Sequence, residues 1–166
     1  MTDEHRTSTD DPGAAQQLAE QATLALYEGD EATQALGIQI VDVSPGRAVA
    51  RMTVTESMIN GVNLAHGGYL FLLADTALAF AAQTRGRPIV SAHAHITFIA
   101  PARACDALSA IAEERTWYGR SAVYDIAVRN QDDLLIAEMR GHVRALRDPV
   151  EAPANGTAGA AADGPR

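Results

Sequence analysis

The chain of 166 residues contains only one cysteine, Cys105. A single thiol excludes an intrachain disulfide and any metal site built from several cysteines. Aromatic side chains make up only 5% of the residues, so a hydrophobic core must come mainly from Ala, Leu, Ile and Val. The sequence has no run of about 18 consecutive apolar residues that would span a bilayer. We therefore expect no membrane partner.

Basic residues are also few. Thirteen Lys and Arg against 21 Asp and Glu give a formal net charge of −8. This charge argues against a nucleic-acid partner, because a protein that binds a phosphate backbone presents a basic face. A small anionic ligand held by two or three arginines is still compatible with it. The first five residues are polar and no apolar signal region follows them, so we expect a cytoplasmic protein.

The composition predicts one folded domain between two tails. Residues 1–13 are polar and acidic, and residues 148–166 are rich in Ala, Gly and Pro. Both segments are almost free of large apolar side chains to bury, so both are predicted to be disordered. The part in between, residues 14–147, is predicted to form a single domain.

The apolar pattern predicts an α+β fold. Residues 66–84 are apolar around the whole circumference of a helix, which predicts a helix buried on all sides. A surface helix at 14–27 and two strands within 38–55 precede it, and four alternating strands within 89–145 follow. Short turns between strands favour antiparallel neighbours. The expected architecture is a curved antiparallel sheet wrapped around one long buried helix, with uncovered edges that favour oligomerisation.

Asp75 is the first candidate for chemistry, because it lies in the middle of the apolar helix with no basic residue within four positions. Burying an unpaired carboxylate costs several kcal/mol or raises its pKa. One interpretation is a base or nucleophile kept in an apolar cleft. The other is structural, with Asp75 facing solvent at a groove or bonded to a hydroxyl such as that of Thr76.

The second candidate is the start of the same helix, at His66, Gly67 and Gly68. The first N–H groups of a helix have no partner inside it and lie at the positive end of its dipole. Such a place suits an oxyanion, although the glycines are equally compatible with a tight turn into a buried helix. Gly67 and Asp75 are eight residues apart, about 12 Å along one helix axis. If they cooperate, Asp75 must come from a neighbouring subunit, which favours a site at a dimer interface.

Other candidates are weaker. His93 and His95 have a spacing that binds metal in some proteins, but no matching Asp, Glu or His cluster accompanies them, so packing histidines are favoured and no metal is expected. Ser91 could act as a nucleophile only with a His and Asp partner, which the sequence does not assign, so a place on the same polar strand face is favoured. The sequence has no phosphate-binding loop, no dinucleotide-binding motif and no nucleophile-elbow serine, which removes the usual support for nucleotide hydrolysis, hydride transfer and serine-esterase chemistry.

Three stretches, MING at 58–61, HGGYLF at 66–71 and AD at 74–75, resemble the hotdog-fold acyl-CoA thioesterases, in particular the PaaI type associated with phenylacetate degradation. The similarity extends over roughly residues 27–144. It implies the hotdog fold, in which a long helix is wrapped by an antiparallel sheet. It also implies a homotetramer arranged as a dimer of dimers, with active sites at the dimer interface.

The resemblance implies a role for each matching residue. Asp75 corresponds to the catalytic carboxylate, supplied across the interface as general base or nucleophile. Gly67 corresponds to the residue whose N–H polarises the thioester carbonyl, and Asn60 and His66 to groups that hold the thioester and place water. Gly68 and Ser91 are expected to contact the substrate.

The implied substrate is an aryl- or arylacetyl-CoA, such as phenylacetyl-CoA or a ring-hydroxylated form. No cofactor is expected, because coenzyme A is part of the substrate. Its phosphates need cations, and four arginines near loops are candidates that the sequence does not separate: Arg85, Arg87, Arg103 and Arg120.

Two alternatives remain open. A hotdog enoyl-CoA hydratase typically has a His about five residues after the helix Asp, but here that position is Phe80. A non-catalytic acyl-CoA-binding module is the other alternative. Its transcriptional versions have a basic helix-turn-helix segment, which the acidic N-terminal tail does not supply.

Overall fold

The computed structural model describes residues 11–146. Most of the two predicted disordered tails lies outside the described residues, and their disorder stays a prediction. At the N-terminal boundary, helix α1 begins at Pro12, inside the predicted tail. Asp11 caps this helix, because its Oδ1 accepts a hydrogen bond from the Gly13 N–H at 3.0 Å. The first helical turn tolerates proline, which lacks only an N–H that would have no helical partner.

The described residues form three α-helices, one 3₁₀ turn and six strands, as the sequence predicts for an α+β fold. In chain order they are α1 (Pro12–Gly29), α2 (Glu31–Ala35), β1 (Gln39–Ser44), β2 (Arg47–Thr53), a 3₁₀ turn (Glu56–Met58), α3 (Gly67–Gln83), β3 (Ile89–Phe98), β4 (Ala107–Tyr118), β5 (Ser121–Arg129) and β6 (Leu135–Ala145).

The strands form one curved sheet in the order β1-β2-β4-β5-β6-β3, and all neighbours are antiparallel. Strands β4, β5 and β6 follow one another through short turns, as predicted. Strand β3 is different, since it pairs with β6 at the far edge and not with β4, the next strand along the chain. The reason is that α3 crosses the inner face of the sheet between β2 and β3, and segment 99–106 returns the chain to β4 beside β2.

Helix α3 packs on the inner face of the sheet. Leu73, Ala77 and Phe80 are fully buried, and the facing strands present mostly alanines and other small side chains. Gly141 on β6 allows the closest approach, because a Cβ built there lies 2.4 Å from Cδ2 of Leu78. The sheet therefore sets how closely the helix can lie against it.

One side of α3 is not covered. Phe71 is 37% exposed, and Leu72, Asp75 and Ala79 are half-buried. We call these four residues the open stripe of α3. The prediction of a helix buried on all sides is correct for the sheet side and wrong for this stripe, because one layer of sheet covers only one side of a helix.

A hydrogen-bonded ion pair lies beyond the C-terminal end of α3. Arg85 donates to both carboxylate oxygens of Glu114 on β4, at 2.9 and 2.7 Å. Tyr124 on β5 is fully buried and donates its hydroxyl to Oε2 of Glu114 at 3.0 Å. Burial, followed by the negative charge of Glu114, raises the pKa of Tyr124 above its ordinary value.

We expect Gly141→Ala to lower the free energy of unfolding by about 1–3 kcal/mol, because the new methyl group overlaps Leu78. The double variant with Leu78→Ala should lose less than the sum of the two single changes. Chemical denaturation measures all three variants. Gly29→Ala is the control, because a Cβ there meets nothing within 4 Å. Additive losses in the double variant would contradict the steric explanation.

We expect stability to fall at alkaline pH through Tyr124. In the unfolded chain tyrosine ionises near pH 10, whereas the raised pKa keeps the native Tyr124 protonated. Its contribution is therefore complete below about pH 10 and is lost as the pH rises from there toward the native pKa. Tyr124→Phe should lose about 1 kcal/mol at pH 7 and show a shallower decline above pH 10. Tyr118→Phe, at a site 55% exposed, should leave the pH profile unchanged.

Candidate active site

The loop before α3 is fixed by backbone hydrogen bonds. The His66 N–H donates to the Met58 carbonyl at 2.8 Å, and the Ala65 N–H donates to the Ala102 carbonyl at 2.8 Å. His66 is extended and caps the helix, so Gly67 is the first helical residue. The prediction that the helix starts at His66 and Gly67 is thus confirmed.

The first N–H groups of α3 differ in whether they have a hydrogen-bond acceptor within the described residues. The Gly68 N–H donates to Nδ1 of His66 at 3.0 Å, and the Tyr69 N–H donates to the His66 carbonyl at 2.9 Å. Within the described residues, the Gly67 N–H has no acceptor. It lies at the positive end of the helix dipole, where a developing negative charge is stabilised.

The cap bears on two other predicted site residues. Because Nδ1 of His66 accepts a hydrogen bond, the neutral imidazole has its proton on Nε2, and this exposed side chain can donate from there. The N–H of Gly68 is already used by that cap. Gly68 can therefore meet a substrate only through its exposed Cα.

Asn60 shapes the same loop. Its Oδ1 accepts from the Val62 N–H at 3.0 Å and from the Leu64 N–H at 3.1 Å. The side-chain oxygen is thus used within the loop, while the amide NH₂ donates to no acceptor among the described residues. Asn60 is half-buried and keeps two donors for a ligand.

Asp75 is hydrogen-bonded to a hydroxyl group, but this hydroxyl belongs to Ser91 and not to Thr76. Ser91 on β3 donates its Oγ to Oδ1 of Asp75 at 2.9 Å. Strict alternation predicts Ser91 on the polar face with His93 and His95, and this interpretation is wrong. A bulge between Ser91 and His93 shifts the register, so Ser91 opposes Val143, a buried residue of the inner face. The second carboxylate oxygen, Oδ2, stays open on the half-buried stripe.

Phe98 is a site residue that the reasoning from chemistry-bearing side chains missed. A Cβ built at Gly67 lies 3.0 Å from Cζ of Phe98, so this ring lies directly against the glycine. Phe98 is nevertheless 52% exposed. The signal in the sequence is the alternation of β3, which places Phe98 on the inner face at the end of the strand. In the structure that position lies beside the start of α3.

The histidine pair lies elsewhere. His93 and His95 are on the outer face of the sheet, and the His93 ring packs edge-on against His142 with centroids 5.6 Å apart. Across residues 11–146, no three His, Cys, Asp or Glu side chains cluster as metal ligands do. The structure thus does not bring these histidines to Asp75.

Two clefts in the described part of the chain are also on the outer face. One of about 910 Å³ is lined by residues of β1, β2, β4 and the turn after β5, and one of about 750 Å³ by residues of β3 to β6. Neither is lined by Gly67 or Asp75. The two groups are eight residues apart on the same helix, about 12 Å along its axis. At this separation the two groups of one chain do not reach the same small ligand atom.

Comparison with known proteins identifies the family. Residues 63–137 match the model of the thioesterase superfamily. The acyl-coenzyme A thioesterase PaaI of Escherichia coli is 44% identical over 117 residues, which cover 70% of this chain and 84% of that protein. The chain belongs to the PaaI-type acyl-CoA thioesterases. The family and the enzyme class predicted from the resemblance are thereby confirmed.

Solved structures confirm the hotdog fold of this thioesterase. The structure of E. coli PaaI superposes with a TM-score of 0.78 at 40% identity, and covers 80% of this chain and 96% of that one.

A second relative is known by its sequence. A putative esterase from Archaeoglobus fulgidus is 31% identical over 127 residues, which are 76% of this chain and 82% of that protein. Among residues 11–146 of the thioesterase, no helix has the length and apolar character needed to cross a membrane.

Proposed function

We propose that this acyl-CoA thioesterase hydrolyses an arylacetyl-CoA, such as phenylacetyl-CoA or a ring-hydroxylated form, to the free acid and coenzyme A. The observation behind the proposed site is the unbonded Gly67 N–H at one end of α3 together with the open carboxylate oxygen of Asp75 on its exposed stripe. The relative in E. coli comes from the phenylacetic acid degradation operon, which supports the choice of acyl group.

The site is proposed to form between two subunits. Asp75 is too far along α3 to reach a carbonyl bound at Gly67 of its own chain, so the carboxylate is supplied by a second copy. Strand β3 is an edge of the sheet with exposed apolar side chains, Val90 at 44% and Phe98 at 52%. The other edge, β1, is covered by α1, where Gln16 donates to the Val43 carbonyl at 2.9 Å. We propose a homodimer through the β3 side, with two dimers forming a tetramer.

The mechanism follows from the donors at the helix start. The thioester carbonyl oxygen accepts from the Gly67 N–H, and the negative charge that grows on it in the tetrahedral intermediate is stabilised by about 3 kcal/mol per donor. The Asn60 amide and the His66 Nε2–H hold the thioester and the attacking water. No cofactor enters these steps.

Asp75 of the second copy completes the reaction. As general base it takes a proton from water as the water oxygen attacks the thioester carbon. Collapse of the intermediate breaks the carbon–sulfur bond, and the coenzyme A thiolate leaves and is protonated. The alternative route, direct attack by Asp75 to give a mixed anhydride that water then cleaves, uses the same geometry. Ser91 orients the carboxylate in either case.

An acyl-CoA panel tests the substrate. Thiol release from phenylacetyl-CoA and its ring-hydroxylated forms should exceed release from acetyl-, hexanoyl- and benzoyl-CoA by at least about tenfold in kcat/KM. A higher value for a straight-chain acyl-CoA would contradict the proposed acyl group without contradicting thioester hydrolysis.

Asp75→Asn should lower kcat at least about 100-fold, because the change keeps the volume but removes the base. The melting temperature should stay level or rise, since an amide is cheaper to bury than a carboxylate. Asp132→Asn, a change at an exposed turn, is the matched control. A lowered melting temperature with unchanged turnover per folded molecule would show that Asp75 is structural.

Mixed dimers test the shared site. Asn60→Asp removes the NH₂ donors but keeps Oδ1, which the loop needs, so we expect a folded and inactive chain. Subunit exchange with Asp75→Asn chains should form mixed dimers, each with one intact site. Random mixing makes about half of the dimers mixed, which should restore roughly a quarter of wild-type activity. If activity never exceeds the sum of the two parents, the carboxylate does not cross the interface.

A further inference from the structure

The chain has no lysine, and all 13 of its basic residues are arginines. Any phosphate of coenzyme A that is bound by a basic side chain is therefore bound by arginine. Most arginines of residues 11–146 are already engaged. Arg47, Arg85, Arg115, Arg129 and Arg140 are ion-paired, and Arg120 donates twice to the Ala145 carbonyl.

Four arginines in the described part of the chain have neither a carboxylate partner nor a side-chain hydrogen bond: Arg51, Arg87, Arg103 and Arg144. These four arginines lie in different parts of the fold. Arg87 follows the C-terminal end of α3, about 25 Å along that helix from Gly67. Arg144 is near the end of β6, where it pairs with Val90 and Ser121. Arg51 lies in the middle of β2, on the outer face of the sheet.

Arg103 is the one beside the helix start. It follows Ala102, whose carbonyl accepts the Ala65 N–H at 2.8 Å, and Ala65 is two residues before Gly67. The bond lengths of this path keep the Cα atoms of Arg103 and Gly67 within about 18 Å of each other. An exposed arginine at this range suits the phosphate end of coenzyme A, because the extended pantetheine arm separates the phosphates from the thioester.

The turn that holds Arg103 is fixed by hydrogen bonds, and no ion pair within residues 11–146 involves Arg103. Asp106 accepts the backbone N–H of Arg103 at 2.8 Å through Oδ2 and Nε2 of Gln131 at 3.1 Å through Oδ1. Both oxygens of the Asp106 carboxylate, three residues further along the chain, are therefore used for backbone and amide hydrogen bonds. Cys105, at φ +69°, donates its N–H to the Val54 carbonyl at 2.8 Å, which ties the turn to the end of β2.

We propose that Arg103 binds a phosphate of coenzyme A and so determines the affinity for the CoA portion of the substrate. The inference rests on the proposed placement of the thioester at Gly67. A guanidinium forms strong charge-assisted hydrogen bonds with phosphate oxygens, and the net charge of −8 makes a local cation necessary to attract a polyanionic substrate.

The test compares wild type with Arg103→Gln, and uses Arg144→Gln as the matched control because that arginine is also exposed and has no carboxylate partner. Calorimetry with free coenzyme A measures binding without turnover. Kinetics use three thioesters of the acyl group preferred in the panel: the CoA thioester, the dephospho-CoA thioester and the N-acetylcysteamine thioester, which has no phosphate.

For Arg103→Gln we expect about tenfold weaker coenzyme A binding and a matching rise in KM for the CoA thioester, with kcat within about twofold of wild type. The N-acetylcysteamine thioester should be unaffected, and Arg144→Gln should resemble wild type throughout. A defect that persists with dephospho-CoA assigns Arg103 to the pyrophosphate, and one that disappears assigns it to the 3′-phosphate.

Unchanged coenzyme A binding in Arg103→Gln would overturn the proposal, as would an equal defect with the phosphate-free thioester. These outcomes are distinct from failure of the proposed site. If Asp75→Asn leaves turnover intact while Arg103→Gln weakens coenzyme A binding, the phosphate contact stands and the assignment of the catalytic carboxylate falls.

Discussion

The coverage of α3 by a single layer of sheet is the constraint on which the rest of the structure depends. The sheet buries one side of the helix completely and leaves the open stripe of Phe71, Leu72, Asp75 and Ala79 half-covered. A carboxylate in the middle of an apolar helix is tolerated there because it lies at this boundary and accepts a hydrogen bond from Ser91. The same incomplete burial exposes apolar surface that a second copy is suited to cover.

The start of α3 has a positive potential although the chain as a whole is acidic. The molecule has a formal net charge of −8, yet a thioesterase must stabilise an oxyanion and attract a substrate with several phosphates. In the proposed site, the backbone dipole of α3 meets the first need, which requires no basic side chain. The His66 cap uses the second N–H of the helix, and the first one, from Gly67, has no acceptor among the described residues.

The helix, the strands and the candidate residues were predictable because their patterns are local. The period of the apolar side chains identifies α3, and the dipole argument identifies Gly67. The position of β3 beside β6 and the contact between Ser91 and Asp75 were not predictable from alternation. Both depend on long-range pairing, and the second depends on a one-residue bulge that reverses the face of Ser91. Phe98 was likewise missed, because alternation indicates its inward face but does not show that β3 and α3 pack so that its ring meets Gly67.

The fit of Leu78 over Gly141 also limits how this fold can change during evolution. With 2.4 Å between the position of a Cβ at residue 141 and Cδ2 of Leu78, the two sites share one volume. A chain that acquires a side chain at 141 must shorten the one at 78, or its helix moves away from the sheet and carries the Gly67 N–H with it. Drift at these two positions is therefore coupled, although neither belongs to the proposed site.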